Sequence, residues 1–268
     1  MEPEPTRGAS VPDRDLARRN RSSMARAYRL VLGPAGRVVD LGGLQATVLD
    51  RFPEAALSNS VHPRHPAAVS AEALSALEEE YAASGVRSWS VWTRPGDADG
   101  LAPMLVERGH VLAEQPLVMA GALADMDLEP RAELDVENDA PWTAVGRVVD
   151  EAFGFDAAYF ADIMAAQEPV PTGPRRWTVR SGGELAGCVV AVPDGDEVNV
   201  AFVAVLPSAQ GRGLGTHLLR HALRECRSGG ATTASLESTG AGEDVYARIG
   251  FRSLGRLGNF QRDLAAAR

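Results

Sequence analysis

The feature that most constrains this chain is a repeated order of elements. Shifting the sequence by 144 residues lays Val61 on Val205, Pro63 on Pro207, Leu74 on Leu218 and Gly85 on Gly229. Further along, a shift of 141 lays Arg108-Gly109-His110 on Ile249-Gly250-Phe251. In both copies the residue pattern reads strand, loop, long helix, strand, short helix, strand, with one three-residue slip. The pattern predicts a mixed α/β architecture twice over, and 268 residues suffice for two modest cores.

The first twelve residues, rich in Pro and Glu, are expected to be a disordered tail. From Asp13 a helical pattern carries Leu16, Met24, Ala27, Tyr28 and Val31 and stops at Gly33-Pro34. Its arginines (14, 18, 19, 21, 26 and 29) read as a solvated face, since no aromatic residues interleave with them. Ser70 suits the N-cap of a helix over 70–83. A strand over 87–92, a helix over 99–108, a strand over 110–119 and a linker over 121–130 complete the half. The second half predicts strands over 132–137, 176–180, 184–192, 197–206, 232–237 and from 251. Its helices fall over 141–153, 157–166, 213–227 and 243–249. The expected units are therefore residues 1–12, 13–125 and 126–268.

Composition removes several functions. No run of eighteen apolar residues exists, and the N-terminus has no apolar core of a secretory signal, so a cytoplasmic chain that does not span a membrane is expected. A net charge of −9 argues against binding nucleic acid or an anionic membrane. Cys188 and Cys226 are too few for a four-ligand zinc site and read as buried small hydrophobes, so no metal is expected. All 27 basic residues are arginine, which excludes Schiff-base chemistry and a P-loop lysine.

One segment carries chemistry. A strand ending near Leu206 runs through Pro207-Ser208-Ala209 into Gln210-Gly211-Arg212-Gly213-Leu214-Gly215-Thr216 and then into an amphipathic helix. Alternate glycines at a helix start let a ligand approach the backbone, and the exposed N–H groups favour an anion, typically a phosphate or pyrophosphate. Thr216 breaks the dinucleotide spacing G-x-G-x-x-G. Val38-Val39-Asp40-Leu41-Gly42-Gly43 resembles the opening of a methyltransferase glycine motif, but its third glycine is missing.

Gln210, Gly213 and Gly215 match the Q-x-x-G-x-G acyl-CoA motif, and the segment resembles that of the GNAT acetyltransferase superfamily. Tyr246-Ala247-Arg248-Ile249-Gly250-Phe251 is similar to that family's Y-x-x-x-G-F. The resemblance covers residues 132–263 and, with the repeat, resembles tandem GNAT proteins with one decayed half. It implies an α/β (α+β) fold of two GNAT-like mixed-sheet domains, the N-terminal one incomplete. Under the 144-residue shift Gln210, Gly213 and Gly215 fall on Pro66, Val69 and Ala71, which cannot cradle a pyrophosphate this way. The N-terminal half is expected to pack on its partner and wall the acceptor site.

The resemblance further implies direct transfer of an acetyl group from acetyl-CoA to the primary amine of a small molecule, in a ternary complex. Backbone of Val203, Ala204 and Val205 would pair with the pantetheine arm and meet the thioester oxygen. Gln210, Gly211, Arg212, Gly213, Leu214, Gly215 and Thr216 would surround the pyrophosphate. Tyr246 matches the family's general acid. The strand position that supplies a glutamate base in some members is Asn199, leaving Glu197 and Glu237 as candidates. Asp156, Tyr159 and Phe160 lie where acceptor loops run. His217 and His221, one turn apart, read as packing or solvated residues rather than metal ligands. An alternative is a GNAT-fold sensor or scaffold that binds acyl-CoA without turnover. Monomer and homodimer both remain open.

Overall fold

The computed structural model describes residues 11–129, 134–155, 158–167 and 173–264. Most of the expected tail therefore lies outside the described residues, as does Asp156. Pro12 already serves as the N-cap of α1 (Asp13–Leu32), whose first turn carries Asp13 and Asp15, favourable at the positive end of the helix dipole. No described helix is long and apolar enough to cross a membrane.

The first sheet begins with the hairpin β1 (Arg37–Leu41) and β2 (Leu44–Val48). Gly42 and Gly43 both take positive φ between them, as a two-residue hairpin turn requires. The methyltransferase-like glycines are thus a hairpin turn, which removes that reading. Next come β3 (Ser60–Pro63), α2 (Ala71–Ala83), β4 (Ser88–Thr93), α3 (Ala98–Glu107) and β5 (Val111–Glu114). As the sequence predicts, Ser70 Oγ caps α2 by accepting from the Ala73 N–H at 3.1 Å. β6 (Leu117–Ala122) follows, but it does not join this sheet.

The second half runs β7 (Val136–Glu137), α4 (Trp142–Phe153), α5 (Tyr159–Met164), β8 (Arg175–Ser181), β9 (Glu184–Asp194), β10 (Glu197–Val205), α6 (Leu214–Ser228), β11 (Thr233–Ser238), α7 (Glu243–Ile249), β12 (Arg252–Arg256) and β13 (Gly258–Asp263). The strand order is β12-β6-β11-β10-β9-β8-β7 in the second sheet and β1-β2-β3-β4-β13-β5 in the first. The two halves have exchanged strands: β6 lies between β11 and β12, while β13 lies between β4 and β5. The 141-residue offset of the repeat carries β6 onto β13 end to end, so each copy lends its last strand to the other.

Three sequence expectations need correction here. The single strand over 110–119 is two strands in different sheets, because Pro116 offers no N–H to continue a ladder. The strand from Phe251 likewise divides at Leu257, whose N–H donates to the Pro116 carbonyl at 2.9 Å where the chains cross. Residues 121–130 are no free linker: Gly121 and Ala122 finish β6, and Leu123, Met126 and Leu128 are buried in the second core. The sheets accordingly do not divide at residue 125.

The solvated-face reading of α1 holds for Arg14 and Arg18 but fails for Arg19, Arg21 and Arg26. This helix lies between the two sheets, with Arg19 on Asp196 at 2.6 Å, Arg21 on Asp97 at 2.7 Å, and Gln45 Nε2 donating to the Ala25 carbonyl at 2.6 Å. Met24 packs with Trp92, Val118 and Leu257, so one small core joins α1, the first sheet and the exchanged segment. Elsewhere α6 covers one face of the second sheet through Leu218 and Leu223, while α1, α4 and α5 cover the other through Val31, Val149 and Ile163.

Because Leu257 is fully buried at the crossing, Leu257→Ala should cost about 2–5 kcal/mol. Both sheets should then unfold together in urea. Fluorescence of Trp89 in the first sheet and Trp177 in the second, followed in variants keeping one or the other, should give coincident transitions; separated transitions would contradict the exchange.

Candidate active site

β10 and β11 run parallel and pair from Glu197↔Thr233 to Val200↔Leu236, where their register ends. A bulge between Val200 and Phe202 in the β10–β9 ladder turns the following side chains about. Val198, Val200 and Val203 consequently all face α6, whereas Phe202 and Ala204 face α4 and α5. Past the bulge the two strands part and leave a wedge.

A cavity of about 420 Å³ fills this wedge, walled by Val203 and Val205 on β10, by the glycine-rich turn, and by Gly242, Tyr246 and Arg248 on the α7 side. Gly211 and Gly213 both take positive φ, and Gly213 caps α6 without any side-chain acceptor. The N–H groups of the first turn of α6 are therefore turned towards the cavity mouth with no capping oxygen. The first intrahelical bond runs from the His217 N–H to the Gly213 carbonyl at 3.0 Å. Gly215 answers to packing, since a Cβ there would stand 3.2 Å from Val205 Cγ2.

The turn's side chains hold its shape. Gln210 Nε2 donates to the Val205 carbonyl at 3.0 Å, latching the turn to the end of β10. Arg212 reaches out to Ser181 Oγ at 3.0 Å, and Leu214 and Thr216 line the cavity. Ala204 has its side chain buried on the opposite face, so it offers the wedge only backbone. His221 Nε2 is engaged by Glu225 at 3.0 Å. Cys188 and Cys226 are buried, and burial pushes their thiols up to about 12 and about 11, as for inert core residues.

Tyr246 reaches the cavity from α7, its ring 6.0 Å from that of Phe251. Burial pushes its phenol up to about 12, so it carries its proton at neutral pH. Glu237 is the first β11 residue beyond the last pair with β10. It accepts from Asn20 Nδ2 at 2.8 Å, and Asn20 Oδ1 in turn accepts from the Arg94 guanidinium. Burial raises the Glu237 carboxyl above the usual range, opposed by the Asn20 amide and the positive charge of Arg94. Asn199 is buried beside it.

Glu197 sits at the closed end of the paired strands, where the hydroxyls of Thr233 and Ser235 donate to its carboxylate. It is only 3% exposed, and the fold does not bring it to the wedge. Tyr159 and Phe160 open α5: the Tyr159 hydroxyl meets Ser58 of the first half, and the Phe160 ring lies edge-on to Phe202 at 5.0 Å. Sequence reasoning missed Asn20, Arg94 and Ser58, because no local pattern shows that α1 and two segments of the first half meet the second sheet.

The splayed parallel strands and the uncapped glycine turn lie within one stretch of the second half, and residues 143–251 match the Acetyltransferase (GNAT) family. That stretch of the chain is thus similar to GNAT acetyltransferase domains. Over 99 residues it is 37% identical to the mycothiol acetyltransferase of Nocardia farcinica; the match takes in 35% of this chain and 31% of that relative's length. Among solved structures, a GCN5-related N-acetyltransferase from Kribbella flavida superposes with a TM-score of 0.66 at 22% identity, covering 91% of this chain and 95% of the other. A tandem GNAT protein from the clavulanic acid biosynthesis pathway gives 0.53 at 14%, covering 96% and 98%. Likeness at these identities carries the fold.

If the uncapped turn holds the cofactor's phosphates, acetyl-CoA at a hundred times its Kd should stabilise the chain by about 2.7 kcal/mol, or about 2–4 °C. Gly213→Glu, which forces a side chain at φ +74 and sets a carboxylate on the turn, should abolish that increment relative to its own unliganded melting point.

Proposed function

We propose that the chain is a cytoplasmic acetyl-CoA-dependent N-acetyltransferase that acts on the primary amine of a small molecule by direct transfer. The observation that carries this reading is the wedge itself: an uncapped α6 N-terminus, a stretch of β10 past its last pair with β11 and the protonated Tyr246 all border one cavity.

In this reading acetyl-CoA is a substrate that lies in the wedge with its phosphates on the turn. Backbone of residues 203–205 continues the sheet towards its pantetheine arm and supports the thioester oxygen as charge develops. The incoming alkylammonium first loses a proton, for which Glu237, raised by burial, is the proposed base, acting through water. Its nitrogen then forms a bond to the acetyl carbon while the carbon–sulfur bond breaks. The nitrogen sheds its second proton to solvent as the amide forms, while Tyr246 gives its proton to the departing thiolate and regains one from solvent. Glu197, sealed by two hydroxyls, is read as a structural carboxyl.

Tyr246→Phe should lower kcat by about 10²–10⁴-fold, equivalent to about 3–5 kcal/mol, with the KM for acetyl-CoA little changed. Thiol release across a panel of primary amines reads this directly. Binding of acetyl-CoA with no amine-dependent thiol release from the unmodified chain would instead favour a sensor or scaffold.

A further inference from the structure

A second, larger cavity lies where the two halves meet. It is a groove of about 690 Å³ between the 51–57 segment that follows β2, the end of β5, and the side chains of Phe155 and Tyr159. Phe52, Phe155 and Tyr159 form its apolar side; Phe52 and Tyr159 meet edge-to-face at 5.0 Å, and Phe155 lies 5.5 Å from Tyr159. Phe155 remains 36% exposed, a large apolar ring kept at the groove rather than in a core.

Two arginines and two glutamates line this groove, and three of the four are held in ion pairs. Arg51 is held by Asp162 at 2.6 Å, and Arg87 pairs with Glu54. Glu114, the last residue of β5, also lines the groove but makes no ion pair or side-chain hydrogen bond among the described residues. An aromatic wall with one uncompensated carboxylate suits a cation that carries a flat apolar body.

The groove also adjoins β10 on the face turned to α4 and α5. Tyr159 adjoins Phe160, whose ring meets Phe202 just past the β10 bulge.

We propose that this groove, built from both halves of the chain, binds a primary alkylammonium with an aromatic body, its ring against Phe52, Phe155 and Tyr159 and its cation steered by Glu114. This rests on the acceptor being an amine, as argued above, and names its class. The N-terminal half contributes Phe52 and Glu114, so it takes part in recognition although it lacks the glycine turn.

The test is calorimetric titration of the full chain, saturated with CoA, with 2-phenylethylammonium, spermidine, glucosamine and the neutral 2-phenylethanol. The aromatic ammonium should bind about tenfold more tightly than each of the others. Glu114→Gln should weaken it about fivefold and remove most of its salt dependence, and Phe155→Ala should weaken it three- to tenfold. Equal binding across the panel, or an unchanged affinity in Glu114→Gln, would overturn the assignment. Thiol release from acetyl-CoA is measured on the same amines. Selective binding without release would leave the groove standing and remove the proposed transfer reaction, whereas release without aromatic selectivity would do the reverse.

Discussion

Everything in this molecule depends on the crossing of two chain segments, where the Leu257 N–H meets the Pro116 carbonyl. There β6 leaves for the second sheet and β13 for the first, and neither sheet is continuous without the other half's strand. β6 pairs with β11 over its full length, from Thr233↔Ala122 to Ser238↔Leu117. β11 is thereby fixed from the side away from β10, so it can part from β10 without losing its place. The wedge is a consequence of strand exchange as much as of the bulge in β10.

The same exchange clamps α1 between the sheets and buries a polar chain from Arg94 through Asn20 to Glu237. Burying such groups is unfavourable unless each is partnered, and here the amide of Asn20 serves both neighbours at once. A residue of the first half therefore sets the electrostatics of a carboxyl one position past the last pair of β10 with β11. The halves nevertheless differ at the one point where a ligand would be held: α2 is capped by its own Ser70, while α6 begins at an uncapped glycine. One copy keeps the architecture, and the other keeps both the architecture and a free helix N-terminus.

Much of this was legible in the chain. Gly211 and Gly213 had to be where the backbone takes positive φ, Ser70 marked its helix, and the 144- and 141-residue offsets anticipated the equivalence of β6 and β13. What could not be read is which sheet each copy of the last strand joins, because hydrophobic alternation specifies a strand's faces and not its neighbours. Pro116 was the available signal that residues 110–119 could not form one strand. Arg19 and Arg21 of α1 misled for a related reason: their partners, Asp196 and Asp97, are far away in sequence, and a charged helix face looks solvated until the second surface is known. Glu237 was visible only as a carboxylate at a strand end, its meaning given by Asn20 and Arg94.

The central claim is that acyl-CoA occupies the wedge of the second sheet and no equivalent place in the first. Amide hydrogen exchange of the full chain, with and without saturating acetyl-CoA, measures this most directly. The account predicts added protection over residues 203–216 and around Tyr246, with residues 61–73 unchanged. Protection centred on residues 61–73, or none over 203–216 despite measured binding, would contradict it.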